Sequence, residues 1–248
     1  MEESKVKSLS KAMNLLDIFT MPPYAYGVSE VARRFNYPKT SVHNIFSTLA
    51  LYGLLKYDAT TQKYLLGYKA AELGHSFRKS NSMLSIMKPY LTQLSADLKE
   101  TVYLGTLSDD MVLYLDVAYS PFSAGGDVIG HKAPLHCTGI GKALLAYMDT
   151  ESINRILSKP LQAFTPDTKT SPQELLDEIS FIRENGYSID NMEHEFGVKC
   201  VAVPLFSEEE QTKGAISISG PSLRFPEATI KEYSILLKEI ARKVKPIL

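Results

Sequence analysis

Three prolines decide what the first fifty residues can become. Pro22 and Pro23 stand together and Pro38 follows Asn36-Tyr37, so no regular helix passes through either point. The stretches between them are short. In the first, Leu9, Ala12, Met13, Leu16 and Phe19 recur at helical spacing behind Ser8 as N-cap, which predicts a helix ending before Pro22. In the second, Ser29 to Phe35 turns Val31, Ala32 and Phe35 inward and Arg33 and Arg34 outward. A third helix begins near Lys39 and Thr40, carries Val42, Ile45, Phe46 and Leu49 on one stripe, and closes at Gly53. Two short helices joined by a tight break, the second polar on its outer side, make a helix-turn-helix pattern. Leu54 to Tyr57 and Lys63 to Leu66 then read as strands around a turn at Asp58 to Gln62, which supplies a wing.

The outer side of the third helix bears on function. At 100° per residue from Val42, the face opposite the core carries Thr40, Asn44 and Ser47, flanked by His43 and Thr48. Small hydrogen-bonding side chains of this kind suit base edges. The candidate DNA contacts are Arg33, Lys39, Thr40, Ser41, His43, Asn44 and Ser47, with Lys56 and Lys63 on the wing beside the phosphate backbone. Charge agrees with this. Residues 1–80 hold 11 Lys and Arg against 6 Asp and Glu, so the overall net charge of -1 hides a basic third and an acidic remainder. A solvated basic surface or an ordinary exposed helix would show either feature singly; the wing that follows favours nucleic acid.

Past Leu66 the pattern changes. Tyr68 to Ser80 has helical composition, and a longer helix runs from about Met83 to Leu98 despite Pro89. Val102 to Leu107 and Met111 to Ala118 form a hairpin about Ser108-Asp109-Asp110, followed by a glycine-bearing loop from Tyr119 to Lys132. Gly139 to Met148 is a short apolar helix. Ser171-Pro172-Gln173-Glu174 opens another with a capping box and proline at the first helical position, and this helix ends before Gly186. Strands are expected at Tyr187 to Asp190, Val198 to Phe206 and Lys213 to Ser219, then an amphipathic helix from Glu227 to Val244. Interleaved strands and helices give an α+β domain around one sheet rich in antiparallel pairing. The expected division is 1–66 for the winged helix-turn-helix, 67–81 for a helical linker and 82–248 for the second domain. With no apolar run of about 20 residues and no signal pattern at Met1, the expectation is a cytoplasmic chain without membrane contact. Cys137 and Cys200 are too few for a disulfide framework and read as thiols.

Four segments carry a resemblance: KSLSKAMNLLDIF at Lys7 to Phe19, YPKTSVHNIFSTLALYGLL at Tyr37 to Leu55, PLHCTGIGKALLA at Pro134 to Ala146, and GYSIDNMEHEFGVKCVAVPLF with GAISISGP at Gly186 to Phe206 and Gly214 to Pro221. In their order and spacing these resemble the IclR family of bacterial transcription regulators, from about Lys7 to about Val244. The resemblance implies a GAF-like effector domain with its pocket on one face of the sheet. By motif position the pocket residues would be Gly139, Ile140, Asp190, Cys200, Ser217 and Ser219. Backbone N–H groups at the start of the helix after Gly139 favour an anion, and Ser217 and Ser219 share a strand face, so a small carboxylate effector is expected. Asp190 would repel that anion and instead accepts from a ligand hydroxyl or a backbone N–H. The resemblance also implies a repressor more readily than an activator, with no cofactor, acting as a homodimer or dimer of dimers. A palindromic double-stranded operator is expected because one winged domain reads few base pairs.

Other chemistries fit the residues less well. In HCTGIGKA, His136 stands where a phosphate loop needs its first glycine, and Ala143 replaces the hydroxyl that meets magnesium. In GGDVIG at Gly125 to Gly130, Asp127 occupies the second glycine position of a dinucleotide fingerprint. His136, Cys137, His194 and Cys200 are competent zinc ligands beside the pocket motifs, but their spacing matches no compact zinc pattern, so the metal expectation is none. A cysteine nucleophile with either histidine as base lacks an oxyanion motif beside it, and the chain is expected not to be an enzyme.

Overall fold

The computed structural model describes residues 5–123, 126 and 128–248, so Gly125 and Asp127 of the glycine-bearing loop lie outside the described residues. The chain forms two compact units, one ending at Ser80 and the other spanning Asn81–Leu248. No described helix is long and apolar enough to cross a membrane.

The first unit contains α1 (Lys7–Asp17), β1 (Ala25–Tyr26), α2 (Val28–Arg34), α3 (Lys39–Leu51), the hairpin β2 (Leu55–Asp58) and β3 (Lys63–Leu66), and α4 (Tyr68–Ser80). Its three strands lie in the order β1-β3-β2, all antiparallel. The core gathers Leu15, Ile18, Phe19, Val31, Val42, Phe46, Leu55 and Tyr64. Two details differ from the periodicity argument. Ser8 lies inside α1, whose N-cap is Val6, and Leu9 and Met13 are 59% and 48% exposed. The pattern admits two stripes one residue apart, and the ring of Phe19 selects between them. It packs edge-on against Tyr26 and Phe46 at 5.4 Å, which turns Leu15 and Ile18 inward and Leu9 and Met13 out.

The second unit opens with α5 (Ser82–Leu98), continues through β4 (Thr101–Ser108), β5 (Met111–Ala118), β6 (Lys132–Pro134), α6 (Gly139–Leu145), α7 (Thr150–Leu157) and α8 (Pro172–Asn185), and closes with β7 (Ser188–Asn191), β8 (Val198–Phe206), β9 (Thr212–Pro221) and α9 (Glu227–Val244). Six strands run β6-β5-β4-β9-β8-β7 with every neighbouring pair antiparallel, the single sheet expected of an α+β domain. Strand period two then sorts the side chains. Val102, Leu104, Val201, Val203, Ile216 and Ile218 point to one face, where α5 brings Met87 and Leu91 and α9 brings Tyr233 and Leu237. Ala202 and Ala215 point to the other, under Ile140 and Leu144 of α6, Ile153 and Ile156 of α7, and Leu175 and Ile179 of α8.

Local signals at helix ends divide. Pro172 occupies the first turn of α8 and Gly186, at φ 74°, ends it, but the Ser171 side chain makes no capping bond, so the capping box is absent. Helix α7 was not anticipated. It is two turns long and starts where Asp149 Oδ1 accepts from the Ser152 N–H at 2.7 Å.

In the first unit, one residue permits a tight backbone crossing. The Gly67 N–H donates to Leu54 O at 2.8 Å, and a Cβ built on Gly67 would run into the carbonyl oxygen of Gly53. Gly67→Ala should therefore cost at least about 2 kcal/mol by forcing backbone apart. Hydrogen exchange in the α2 and α3 peptides of the full chain would show it as faster exchange, whereas unchanged protection would mean that the crossing tolerates a methyl group.

Candidate functional site

On α3, Thr40, His43 and Asn44 are exposed and Ser47 is half-buried, at positions i, i+3, i+4 and i+7 along one stripe. Arg33 near the end of α2 and Lys39 at the start of α3 are also exposed. Ser41 is different. It is half-buried, off the stripe, and its Oγ accepts from Lys11 Nζ at 3.1 Å. Lys11 also lies over the Tyr37 ring, 3.8 Å from its centroid, so α1 delivers a cation to the N-terminus of α3. In the wing, Lys56 faces Leu65 and Asp58 faces Lys63 across the hairpin, which puts both lysines on the side away from Leu55 and Tyr64. The wing turn is held by Asp58, which accepts from the Thr60 N–H at 2.9 Å and the Thr61 hydroxyl at 2.7 Å.

In the second unit a cavity of about 530 Å³ opens on the sheet face beside α6, within the range of small-molecule sites. All six pocket residues expected from the motifs line it: Gly139, Ile140, Asp190, Cys200, Ser217 and Ser219. Sheet register brings them together, with Asp190 opposite Cys200, Cys200 opposite Ser219 and Ser219 opposite Thr101. Gly139 lets α6 approach, since a Cβ there would lie 3.2 Å from that of Cys200. Asp190 Oδ1 accepts the backbone N–H groups of Glu193 at 2.8 Å and His194 at 3.4 Å, so it does take a backbone donor. The Cys200 thiol lies 3.1 Å from Ser219 Oγ and 3.8 Å from Asp190 Oδ2. At the Gly141 N–H, the expected anion is preempted by Thr138 Oγ1, which accepts it at 3.0 Å.

The turn after Asp190 is anchored from behind. Lys142, 1% exposed, donates to Glu193 Oε1 at 2.5 Å and Glu178 Oε2 at 2.8 Å, and Lys169 also pairs with Glu178. Thr168 Oγ1 holds the Glu193 carbonyl at 2.5 Å. Of the four zinc-competent residues, His194 and Cys200 line the cavity, while His136 Nε2 donates to the Gln162 carbonyl at 2.9 Å and Cys137 is fully buried. Among the described residues no three of His, Cys, Asp and Glu come together as metal ligands would.

Residues 8–59 match the IclR helix-turn-helix domain and residues 75–246 match the bacterial transcriptional regulator IclR C-terminal domain. The chain belongs to the IclR family. It is 30% identical over 244 residues to the transcriptional repressor IclR of Escherichia coli K12, covering 97% of this chain and 89% of that one. It is 32% identical over 241 residues to the HTH-type transcriptional regulator BhcR of Paracoccus denitrificans, covering 96% and 86%. The crystal structure of an IclR transcriptional regulator from Alicyclobacillus acidocaldarius superposes with a TM-score of 0.86 at 26% identity and 98% coverage of both chains. This IclR-family chain is a helix-turn-helix transcriptional regulator.

Several residues at the two sites escaped sequence reasoning. Lys11 is thirty residues from the serine it meets, and no local pattern links them. Glu100 and Arg224 form a two-point ion pair on the cavity wall, both contacts 2.6 Å, across 124 residues of sequence. Tyr103 and Tyr114 also line the cavity. The parity of β4 was a usable signal for Tyr103, because Val102 and Leu104 belong to the opposite face.

Burial dominates the electrostatics of the cavity. It pushes Asp190 up to about 7, with the Glu193 carboxylate adding to it, while the Glu193 N–H, Lys142 and the His194 N–H pull the other way. Burial likewise holds His194 below its usual range and the Cys200 thiol well above its own. A carboxyl group with a raised folded-state value contributes stability that is complete below the unfolded value near 4 and lost as pH rises through about 7. Asp190→Asn keeps the Oδ1 acceptor and removes the titration. The difference in unfolding stability, variant minus wild type, should therefore grow by roughly 2 to 3 kcal/mol from pH 5 to pH 8. Parallel curves over that range would show that Asp190 is ionised throughout.

Proposed function

We propose that the cavity of the second unit holds a small effector, and that its occupancy changes the affinity of the winged domain for an operator. What carries this reading is the cavity wall itself. Ser217 offers a hydroxyl with no hydrogen-bond partner among the described residues, on the same strand face as Ser219 and beside the half-neutral Asp190. A wall built this way binds polar molecules and does little chemistry. The Cys200 thiol faces Ser219 and Asp190 with its proton held on by burial, and among the described residues no histidine contacts it as a base, which supports a regulator without catalytic activity.

On the DNA side, Thr40, His43, Asn44 and Ser47 read base edges in the major groove, while Arg33, Lys39, Lys56 and Lys63 meet phosphates. Ser41 acts through Lys11, which its hydroxyl holds beside the helix start. Two winged domains on a palindromic operator give the reading length that one lacks, so a homodimer or dimer of dimers is the working form. The setting is the cytoplasm and the net effect repression. Coupling between cavity and operator of about 1 to 3 kcal/mol suffices for such a switch.

Two sets of variants test this reading. Asn44→Ala should relax base preference by about 1 to 3 kcal/mol at one position, whereas Lys39→Ala should weaken all duplexes alike and flatten the salt dependence. Equal, sequence-independent losses from both would show that α3 does not enter the groove as assigned. Ser217→Ala with Ser219→Ala should weaken effector-induced operator release by about ten-fold to a hundred-fold. A double variant that still released its operator at the wild-type effector concentration would exclude the serine wall.

A further inference from the structure

Most polar groups on the cavity wall are occupied by one another. Asp190 Oδ1 holds two backbone N–H groups, Cys200 lies between Ser219 and Asp190, Thr138 is fixed to Pro134 O and the Gly141 N–H, and Arg224 is bound at both ends of Glu100. Three hydroxyls are not. Tyr103, Tyr114 and Ser217 line the cavity and make no hydrogen bond among the described residues. They are neighbours on the sheet. Tyr103 stands opposite Ser217 across β4 and β9, and Tyr114 stands opposite Gly105, two residues along β4 on the same face. The two rings centre 5.5 Å apart, and the missing side chain of Gly105 leaves room for Val112 and Ile140 beside them. Three unengaged hydroxyls on one cavity wall make sense where a ligand supplies the acceptors.

The other wall has the reverse character. Asp190 and Glu195 are acceptors, and among the described lining residues the guanidinium of Arg224 is already committed to Glu100. Burial holds the His194 ring below its usual range and pushes the Tyr103 phenol up to about 12, so the phenol keeps its proton and donates. The cavity thus presents hydroxyl donors at one end and the carboxyl oxygens of Asp190 and Glu195 as acceptors at the other. A plain polyol leaves the donor end without its strongest partner, and a diacid sets a second carboxylate against Asp190 and Glu195.

We propose that Tyr103 and Tyr114 are effector-contacting specificity residues that, with Ser217, bind the acid group of a hydroxy acid by O–H donation, while Asp190 and Glu195 accept from its hydroxyl end. This rests on the effector reading of the cavity and names the chemistry that the cavity selects. A charged acceptor makes each phenol bond short and strong, which an alcohol in the same place does not. Selection for the acid therefore comes from neutral donors rather than from an arginine or lysine.

Two matched sets of probes test it by calorimetry on the full-length protein: gluconate, hexanoate and sorbitol, and 4-hydroxybenzoate, benzoate and 4-hydroxybenzyl alcohol. In at least one set the hydroxy acid should bind about ten-fold or more tightly than both of its truncated partners. Tyr103→Phe and Tyr114→Phe retain the ring pair and should each weaken the hydroxy acid by about ten-fold to a hundred-fold while moving the matching alcohol by less than about two-fold. A merely structural tyrosine would weaken acid and alcohol together and lower the melting temperature of the ligand-free protein. Phenylalanine variants that bind the hydroxy acid as the wild type does, an alcohol that binds as well as the acid in both sets, or no binding by either hydroxy acid at about 10 mM overturns the assignment. The two readings fail separately. Tyrosine-dependent binding that leaves operator affinity unchanged defeats effector control and keeps the tyrosines, whereas operator release that both phenylalanine variants preserve defeats the tyrosines and keeps effector control.

Discussion

The ammonium of Lys142 has almost no access to water, and the second unit is arranged around that fact. Burial opposes its charge, but Glu193 and Glu178 outweigh the loss of solvent and hold the proton more firmly than usual. The partners come from three places: α6 supplies the lysine, α8 supplies Glu178, and the turn after β7 supplies Glu193. Removing one member of a buried pair typically costs about 3 to 5 kcal/mol, because the other charge is left in a low-dielectric interior. That cost pins the turn. Since the Glu193 and His194 N–H groups converge on Asp190 Oδ1, pinning the turn also fixes the Asp190 carboxyl group in the cavity wall. The ion pair behind the wall sets the geometry in front of it.

The rest of the cavity follows from strand period two. One face of the sheet is filled by Val102, Leu104, Ile216 and Ile218 under α5 and α9, which leaves their neighbours Tyr103, Ser217 and Ser219 facing the other way. Where α6 presses close, the sheet offers Ala202 and Ala215, and Gly139 removes the last obstruction. Where α6 ends its cover, the same face becomes polar and the cavity opens. In the first unit the same economy applies to α3, where Val42 and Phe46 go inward and Thr40, His43 and Asn44 go outward.

Much of this was legible in the residues because it is local. The bounds of α9 and β8 coincide with the expected Glu227–Val244 and Val198–Phe206, since amphipathic period and strand composition need no distant partner. Proline at Pro172 and glycine at Gly186 marked α8 correctly for the same reason. Failures arose where a tertiary contact outvoted the local pattern. Phe19 chose Leu15 over Leu16 as its companion, while α7, only two turns long, escaped notice although Asp149 caps it and Ile153 and Ile156 pack inward. Lys11, which meets the candidate DNA contact Ser41 from another helix, had no local signal at all. The cavity divides in the same way. Its six motif residues were found together, but the Glu100–Arg224 pair and the tyrosines depend on strand neighbours that only the sheet order reveals.

The central claim is that the cavity, and no other part of the chain, is where a small molecule acts on operator binding. Filling it is the direct test. Ser217→Phe puts a ring into the open side of the wall without breaking an internal hydrogen bond, and operator binding by fluorescence anisotropy can be followed as a small acid that shifts the wild-type affinity is titrated. The account predicts a folded variant that binds the operator and ignores the acid over at least about a hundred-fold range of concentration. A filled variant that still responds at the wild-type midpoint would place the effector elsewhere and contradict the account.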